Sequence, residues 1–167
     1  RKTFINAVQV TDRFHVQKLI LEALQDIRIK HRWQAIDDEN TAISKAKEEN
    51  KRHQTTLYSN GDSPKQLLAR SRYILYKNQE KWTPKQKERA EILFKYYPDI
   101  EKAYKLSQGL KLIFNQNITK DIARVKLAKW YNDVEASGFK AFNIVSNTIQ
   151  LNYDTILNYF KNRSTNA

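Results

Sequence analysis

The side chains best equipped for chemistry in this sequence are cations with aromatic neighbours. Arg28, Lys30, His31 and Arg32 run up to Trp33; Arg70, Arg72, Tyr73, Tyr76 and Lys77 form a second group, with Trp82 nearby. Lys120, Arg124, Lys126 and Lys129 share a third stretch. Guanidinium and ammonium groups neutralise phosphates and aromatic faces stack on bases, so interleaving the two suits nucleic acid. Lys120 and Arg124, four residues apart, would share one face of a helix. The same residues also fit ordinary solvated faces, with Trp33 packing and the aromatics filling a core.

Another constellation is Thr11-Asp12-Arg13-Phe14-His15-Val16, after the apolar run Ala7-Val8-Gln9-Val10. Read locally, Thr11 or Asp12 caps a helix and His15 packs in its first turn. His31 and His53 lack partners at metal-ligand spacing. There is no Gly-rich phosphate loop and no nucleophile–base pair. The absence of Cys rules out disulfides, thiolate nucleophiles and Cys-based zinc sites.

The elements that must hold these residues are mostly helices. Phe4 to Thr11 is the one stretch that favours a strand, and a lone strand needs partners from elsewhere. Val16, Leu19, Ile20, Leu24 and Ile27 then follow at helical spacing. From Arg28 to Lys51 helical character persists while the pattern turns increasingly polar; Asp37, Asp38 and Glu39, then Lys45, Lys47, Glu48, Glu49 and Lys51, read as a solvated arm rather than a packed helix. Gln54 to Pro64 is a loop, and a short element follows from Lys65 to Asn78. Thr83-Pro84 starts a helix with a capping hydroxyl and a proline at its first position. Pro98 opens another, Thr119 caps a third, and Ser137-Gly138 ends that one. A final helix is expected from Phe139 to Phe160, with Phe142, Val145, Ile149, Tyr153, Ile156 and Phe160 at near-heptad spacing.

Composition agrees with this picture. Three Gly and three Pro in 167 residues leave little scope for the many turns of a sandwich or barrel. Seven Phe, nine Tyr and three Trp supply a core and argue against wholesale disorder. The net charge of +12 and pI near 9.8 favour polyanionic partners. No apolar run approaches the roughly 20 residues that cross a bilayer, and no signal-peptide pattern opens the chain. A soluble, intracellular protein with no membrane partner is therefore expected. With no Met and Arg1 in first place, a cloned or processed fragment is the expected origin.

Read in order, four stretches resemble a bacterial insertion-sequence transposase of the DDE type. They are Asp12-Arg13-Phe14-His15-Val16; Arg72-Tyr73-Ile74-Leu75-Tyr76-Lys77-Asn78; the Thr83-Pro84 start with Tyr97-Pro98; and Ile156-Leu157-Asn158-Tyr159-Phe160 leading to Arg163-Ser164-Thr165-Asn166. The resemblance covers nearly the whole chain. It implies a mainly α fold: a helical insertion domain with one N-terminal strand left from a ribonuclease-H-like core. Residues 1–30 would end the first part of that core, 31–138 would be the insertion, and 139–167 the helix returning to the catalytic core.

Such enzymes hold two divalent metal ions with three carboxylates and cleave and join DNA by in-line attack. The resemblance gives Asp12 and His15 a supporting place at the catalytic site, with Asp12 as a metal ligand the weaker alternative. It implies Mg²⁺ or Mn²⁺ for the intact enzyme and none for this fragment, which should be inactive because most catalytic acids are missing. Asp133 and Glu135 lie on an insertion helix and are not taken as substitutes. The implied partners are DNA at the transposon ends and a second copy in the intact transposase. The expected DNA-binding residues are Arg13, Arg28, Lys30, Arg32, Arg72, Lys77, Lys120, Arg124 and Lys129. Two rivals share part of this pattern: a non-catalytic helical nucleic-acid-binding module, and a helical interaction protein pairing through Leu19 to Lys51 or Phe139 to Phe160.

Overall fold

A computed structural model describes residues 13–162. Seven α-helices account for most of them: α1 (Arg13–Glu48), α2 (Pro64–Arg70), α3 (Pro84–Tyr96), α4 (Pro98–Asn115), α5 (Lys120–Ser137), α6 (Lys140–Leu151) and α7 (Tyr153–Asn162). Two 3₁₀ turns, Ile74–Tyr76 and Gln79–Lys81, lie between α2 and α3. There is no strand among the described residues. The expected strand from Phe4 to Thr11 lies outside them.

Local backbone chemistry sets most helix ends. The Thr83 hydroxyl accepts the Gln86 amide at 3.3 Å while Gln86 Oε1 accepts the Thr83 amide at 3.2 Å, a reciprocal cap in front of Pro84. Pro98 opens α4, and Asp99 and Glu101 place negative charge in its first turn, where the helix dipole favours it. Thr119 caps α5 by accepting the Ile122 amide at 3.4 Å. Gly138 ends α5 at φ 72°, the left-handed conformation that glycine adopts without strain.

One sequence expectation is borne out and another corrected. The helical character expected through Arg28 to Lys51 is the continuation of α1, a helix of 36 residues with a mostly exposed second half. Its Ala, Glu, Lys, Gln and Arg content favours helix even where few side chains are buried. α1 stops at Asn50, at φ 51°, with Lys51 N–H donating to Ala46 O at 2.8 Å and Asn50 N–H to Lys47 O at 3.1 Å. That pair of bonds with a left-handed Asn is the usual reversal at a helix C-terminus. The expected helix from Phe139 to Phe160 is broken at Asn152. The Asn152 side chain donates to Thr148 O at 2.9 Å and the Asn152 backbone carbonyl accepts the Thr155 hydroxyl at 2.8 Å. Short polar side chains that compete for backbone groups in this way interrupt helices.

The chain forms two compact units, one from residues 13–23 and 105–162 and the other from Leu24–Tyr104. In the first, α5 packs on α6 and α7. Leu127, Trp130, Phe142, Ile149, Leu157 and Phe160 are among its buried side chains. Trp130 Nε1 donates to Leu106 O at 2.9 Å, and the Tyr159 hydroxyl to Phe114 O at 3.3 Å. Burying an aromatic while satisfying its polar tip is what makes Trp and Tyr suitable core residues here. In the second unit α2 packs on α3, and Leu67, Leu68, Leu75, Leu93, Ile100 and Tyr104 are buried. Trp82 Nε1 donates to Ile74 O at 2.9 Å and the Tyr104 hydroxyl to Lys77 O at 2.7 Å. These bonds fix the irregular segment between α2 and α3.

Candidate nucleic-acid interface

The second unit is organised around Arg28, a cation only 4% exposed. Its Nε donates to Gln25 Oε1 at 2.6 Å and its Nη1 to Leu68 O at 2.8 Å. The Leu68 carbonyl is available because it belongs to the last turn of α2, where carbonyls lack a helical partner. Gln25 Nε2 in turn donates to Arg72 O at 3.3 Å. One guanidinium and one amide thereby tie α1 to the end of α2 and to the segment after it.

Burial lowers the Arg28 pKa, and the positive charges of Arg32 and Arg72 lower it further, with Tyr76 acting in the opposite sense. Arginine keeps its proton under such pressure, so three guanidinium groups act on one another here. Arg32 and Arg72 are exposed and neither is in an ion pair among the described residues. The Arg72 guanidinium lies over the Tyr73 ring, 5.4 Å from its centroid, within cation–π range. Tyr73 is 66% exposed and its ring centre is 6.4 Å from that of Tyr76. An uncompensated positive field beside an exposed aromatic face can take a phosphate and a stacked base.

The sequence placed Arg28 and Arg32 in one cluster and Arg72 in another; the bond from Gln25 to Arg72 O joins the two segments in the fold. Arg28 itself is buried, with Nε and Nη1 bonded inside the protein. Lys30 is exposed on α1, and Lys77 is exposed with Nζ 3.5 Å from Gln86 Oε1. Arg70 turns elsewhere: it and Arg89 both bind the carboxylate of Asp62, Arg89 at 3.1 Å. Asp62 and Arg89 escaped the sequence reading because a carboxylate in a Ser-Asn-Gly-Asp turn looks solvated. The burial of Arg28 did leave a signal, since it continues the Val16, Ile20, Leu24 stripe at intervals of four.

In the first unit, Lys120 and Arg124 flank the buried stripe of α5, while Lys129 lies about 180° around the helix from Lys120. The basic residues of α5 therefore do not converge on one face. Arg124 also sits 3.7 Å from Asp121, and Lys126 donates to Gln116 Oε1 at 2.6 Å. Arg13 lies over the Phe14 ring at 4.8 Å and its Nη1 is 3.4 Å from the Tyr159 hydroxyl. His15 is exposed in the first turn of α1. Asp12 lies outside the described residues.

The second unit also has a cleft of about 310 Å³ lined by His31, Asp38, Glu39, His53, Lys65 and Tyr97 among others. Glu39 pairs with Lys65 and His31 with Asp99. With carboxylates along its wall the cleft suits phosphate poorly. Nor do the described residues fit a divalent cation: no three acidic or imidazole side chains among them gather closely enough to ligate one. Asp62 is committed to arginines, and Asp133 and Glu135 point outward from α5. No helix among them is long and apolar enough to cross a membrane.

What the described residues define is a mainly helical module with a buried arginine and exposed arginines on its surface. The sequence matches a family described as transposase, the ISL3 type of DDE transposase, over residues 1–167. The chain belongs to that family, and its function is accordingly one in DNA transposition. Neither a curated protein nor a solved structure gives a match.

Proposed function

We propose that residues 31–138 are the helical insertion of a ribonuclease-H-like transposase core, and that the Arg32–Arg72–Tyr73 patch seats the DNA backbone near a transposon end. The observation that carries this is that exposed Arg32 and Arg72, from segments tied together by the Arg28–Leu68 and Gln25–Arg72 bonds, both act electrostatically on the buried Arg28. Nothing in the packing of the second unit requires Arg32 and Arg72 to carry charge, whereas DNA does. Lys30 and Lys77 extend the positive surface of that unit. Lys120, Arg124 and Lys129 supply separate contacts from α5, on more than one side of the helix.

In this reading Asp12 and His15 support a catalytic site whose carboxylates take Mg²⁺ or Mn²⁺ in the intact enzyme. Arg13 contacts DNA next to them, and the enzyme acts as a homodimer in the bacterial cytoplasm. Binding of a labelled duplex, measured by fluorescence anisotropy, tests the DNA contact. Arg72→Ala and Tyr73→Ala should each weaken binding about fivefold, the equivalent of about 1 kcal/mol. Lys45→Ala, a distant exposed cation, should leave it near the wild-type value. Equal affinities for all four proteins would sink the proposal.

A further inference from the structure

We propose that the exposed side of α1 from Ile29 to Lys47 is a dimerisation seam that pairs, in parallel, with the same helix of a second copy of this chain. Ile29, Trp33, Ile36, Asn40, Ile43 and Lys47 succeed one another at alternating intervals of four and three residues. This is the d–a–d–a–d–a sequence of a two-stranded coiled coil. The stripe faces solvent: Trp33 is 61% exposed, Ile43 44% and Ile29 38%. The opposite side of α1, carrying Leu24, Arg28 and Ala35, serves the packing and the cleft of its own unit. Single exposed apolar residues are common; three in one register along a helix, with the half-buried Ile36 between them, are not.

The stripe complements itself, which selects a second copy as the occupant. Asn40 falls at an a position, where in a parallel pair the two side-chain amides meet and hydrogen-bond. An antiparallel pair would set each Asn40 against an isoleucine and leave its amide unsatisfied. Arg32, at g, would lie beside the partner's Asp37, at e of the following heptad, twice by symmetry. Glu39, which could favour an antiparallel arrangement by meeting Arg32, is already held by Lys65. The seam spans roughly 28 Å at 1.5 Å per residue. It is short for a stable interface, so dissociation on the order of tens of micromolar is expected.

The inference concerns how two copies meet and rests on the homodimer of the proposed function, but it needs no DNA. Arg32 borders both the patch and the seam, so the tests use residues that belong to one alone. Sedimentation velocity of the full chain should show concentration-dependent dimerisation. Trp33→Lys with Ile43→Lys, at exposed positions, should keep the helical circular dichroism and remain monomeric. Because the chain has no Cys, Asn40→Cys provides a single thiol. Under mild oxidation it should form a reducible dimer at least tenfold faster than Lys45→Cys, at the outward f position. A wild-type chain that stays monomeric at several hundred micromolar, a double variant that still dimerises, or equal crosslinking rates for the two cysteine variants would each overturn the proposal. Dimerisation without DNA affinity would leave the seam standing and count against the DNA-binding reading.

Discussion

Replacing Asp62 with alanine should destabilise the Leu24–Tyr104 unit more than any single loss of its basic partners. The Asp62 side chain is 1% exposed and binds Arg70 and Arg89, whose own exposures are 55% and 26%. Asn60 Nδ2 adds a third donor at 3.0 Å. Removing one member of a buried ion pair typically costs about 3–5 kcal/mol, because the charge left behind stays buried. Here the two arginines can turn to water, Arg70 with little movement, so the loss should be smaller, roughly 2–3 kcal/mol. For a chain of this size that corresponds to a fall in Tm of roughly 4–12 °C. Thermal unfolding followed at the helical circular dichroism band reads it directly. Hydrogen exchange adds the local signature: Tyr58 N–H donates to Asp62 O at 2.9 Å and Gly61 N–H to Tyr58 O at 2.9 Å, and both amides should lose protection. Arg70→Ala, by contrast, removes an exposed partner and should cost under about 1 kcal/mol. A loss below 1 kcal/mol for Asp62→Ala with unchanged exchange would refute the reasoning, since the carboxylate would then not anchor the turn.

Gly138→Ala should destabilise the chain by about 1 kcal/mol, because φ 72° strains any residue with a Cβ although no neighbour would touch that Cβ; chemical denaturation would detect it as a lower midpoint with an unchanged slope. Alkaline pH should also weaken the fold. Burial raises the Tyr104 pKa to about 12 from its usual 10.0, so between those values the unfolded chain releases a proton that the folded chain keeps. Stability present below pH 10 is then lost as pH rises towards 12, by about 3 kcal/mol for this group. Absorbance of tyrosinate, read alongside circular dichroism, should show Tyr104 ionising only as the helices unfold; ionisation of every tyrosine near pH 10 in a folded chain would contradict it.

How much could be read from the sequence depended on whether a signal was local. The starts at Thr83-Pro84, Pro98 and Thr119 and the stop at Gly138 were legible because capping hydroxyls, proline and glycine act on their own backbone. The polar half of α1 was legible as well, because residues of high helix propensity carry the helix on to Glu48. The break at Asn152 was not, since an asparagine side chain competes for the Thr148 carbonyl inside a pattern whose apolar spacing looked continuous. The candidate site divided in the same way. Arg32, Arg72 and Tyr73 were visible as residue types suited to DNA, yet their union in one patch depends on the bonds from Arg28 to Leu68 and from Gln25 to Arg72, across more than one helix. The pairing of Asp62 with Arg70 and Arg89 is equally tertiary, and no spacing rule announces it.

The most direct test of the central claim is the salt dependence of DNA binding by the full chain and by Arg72→Ala. Each phosphate neutralised contributes about 0.9 to the slope of log affinity against log salt concentration. If the arginine patch seats the DNA backbone, wild-type affinity should fall steeply with salt, and Arg72→Ala should have a slope shallower by about 1. Identical slopes for the two proteins, or no binding at low salt, would contradict the account.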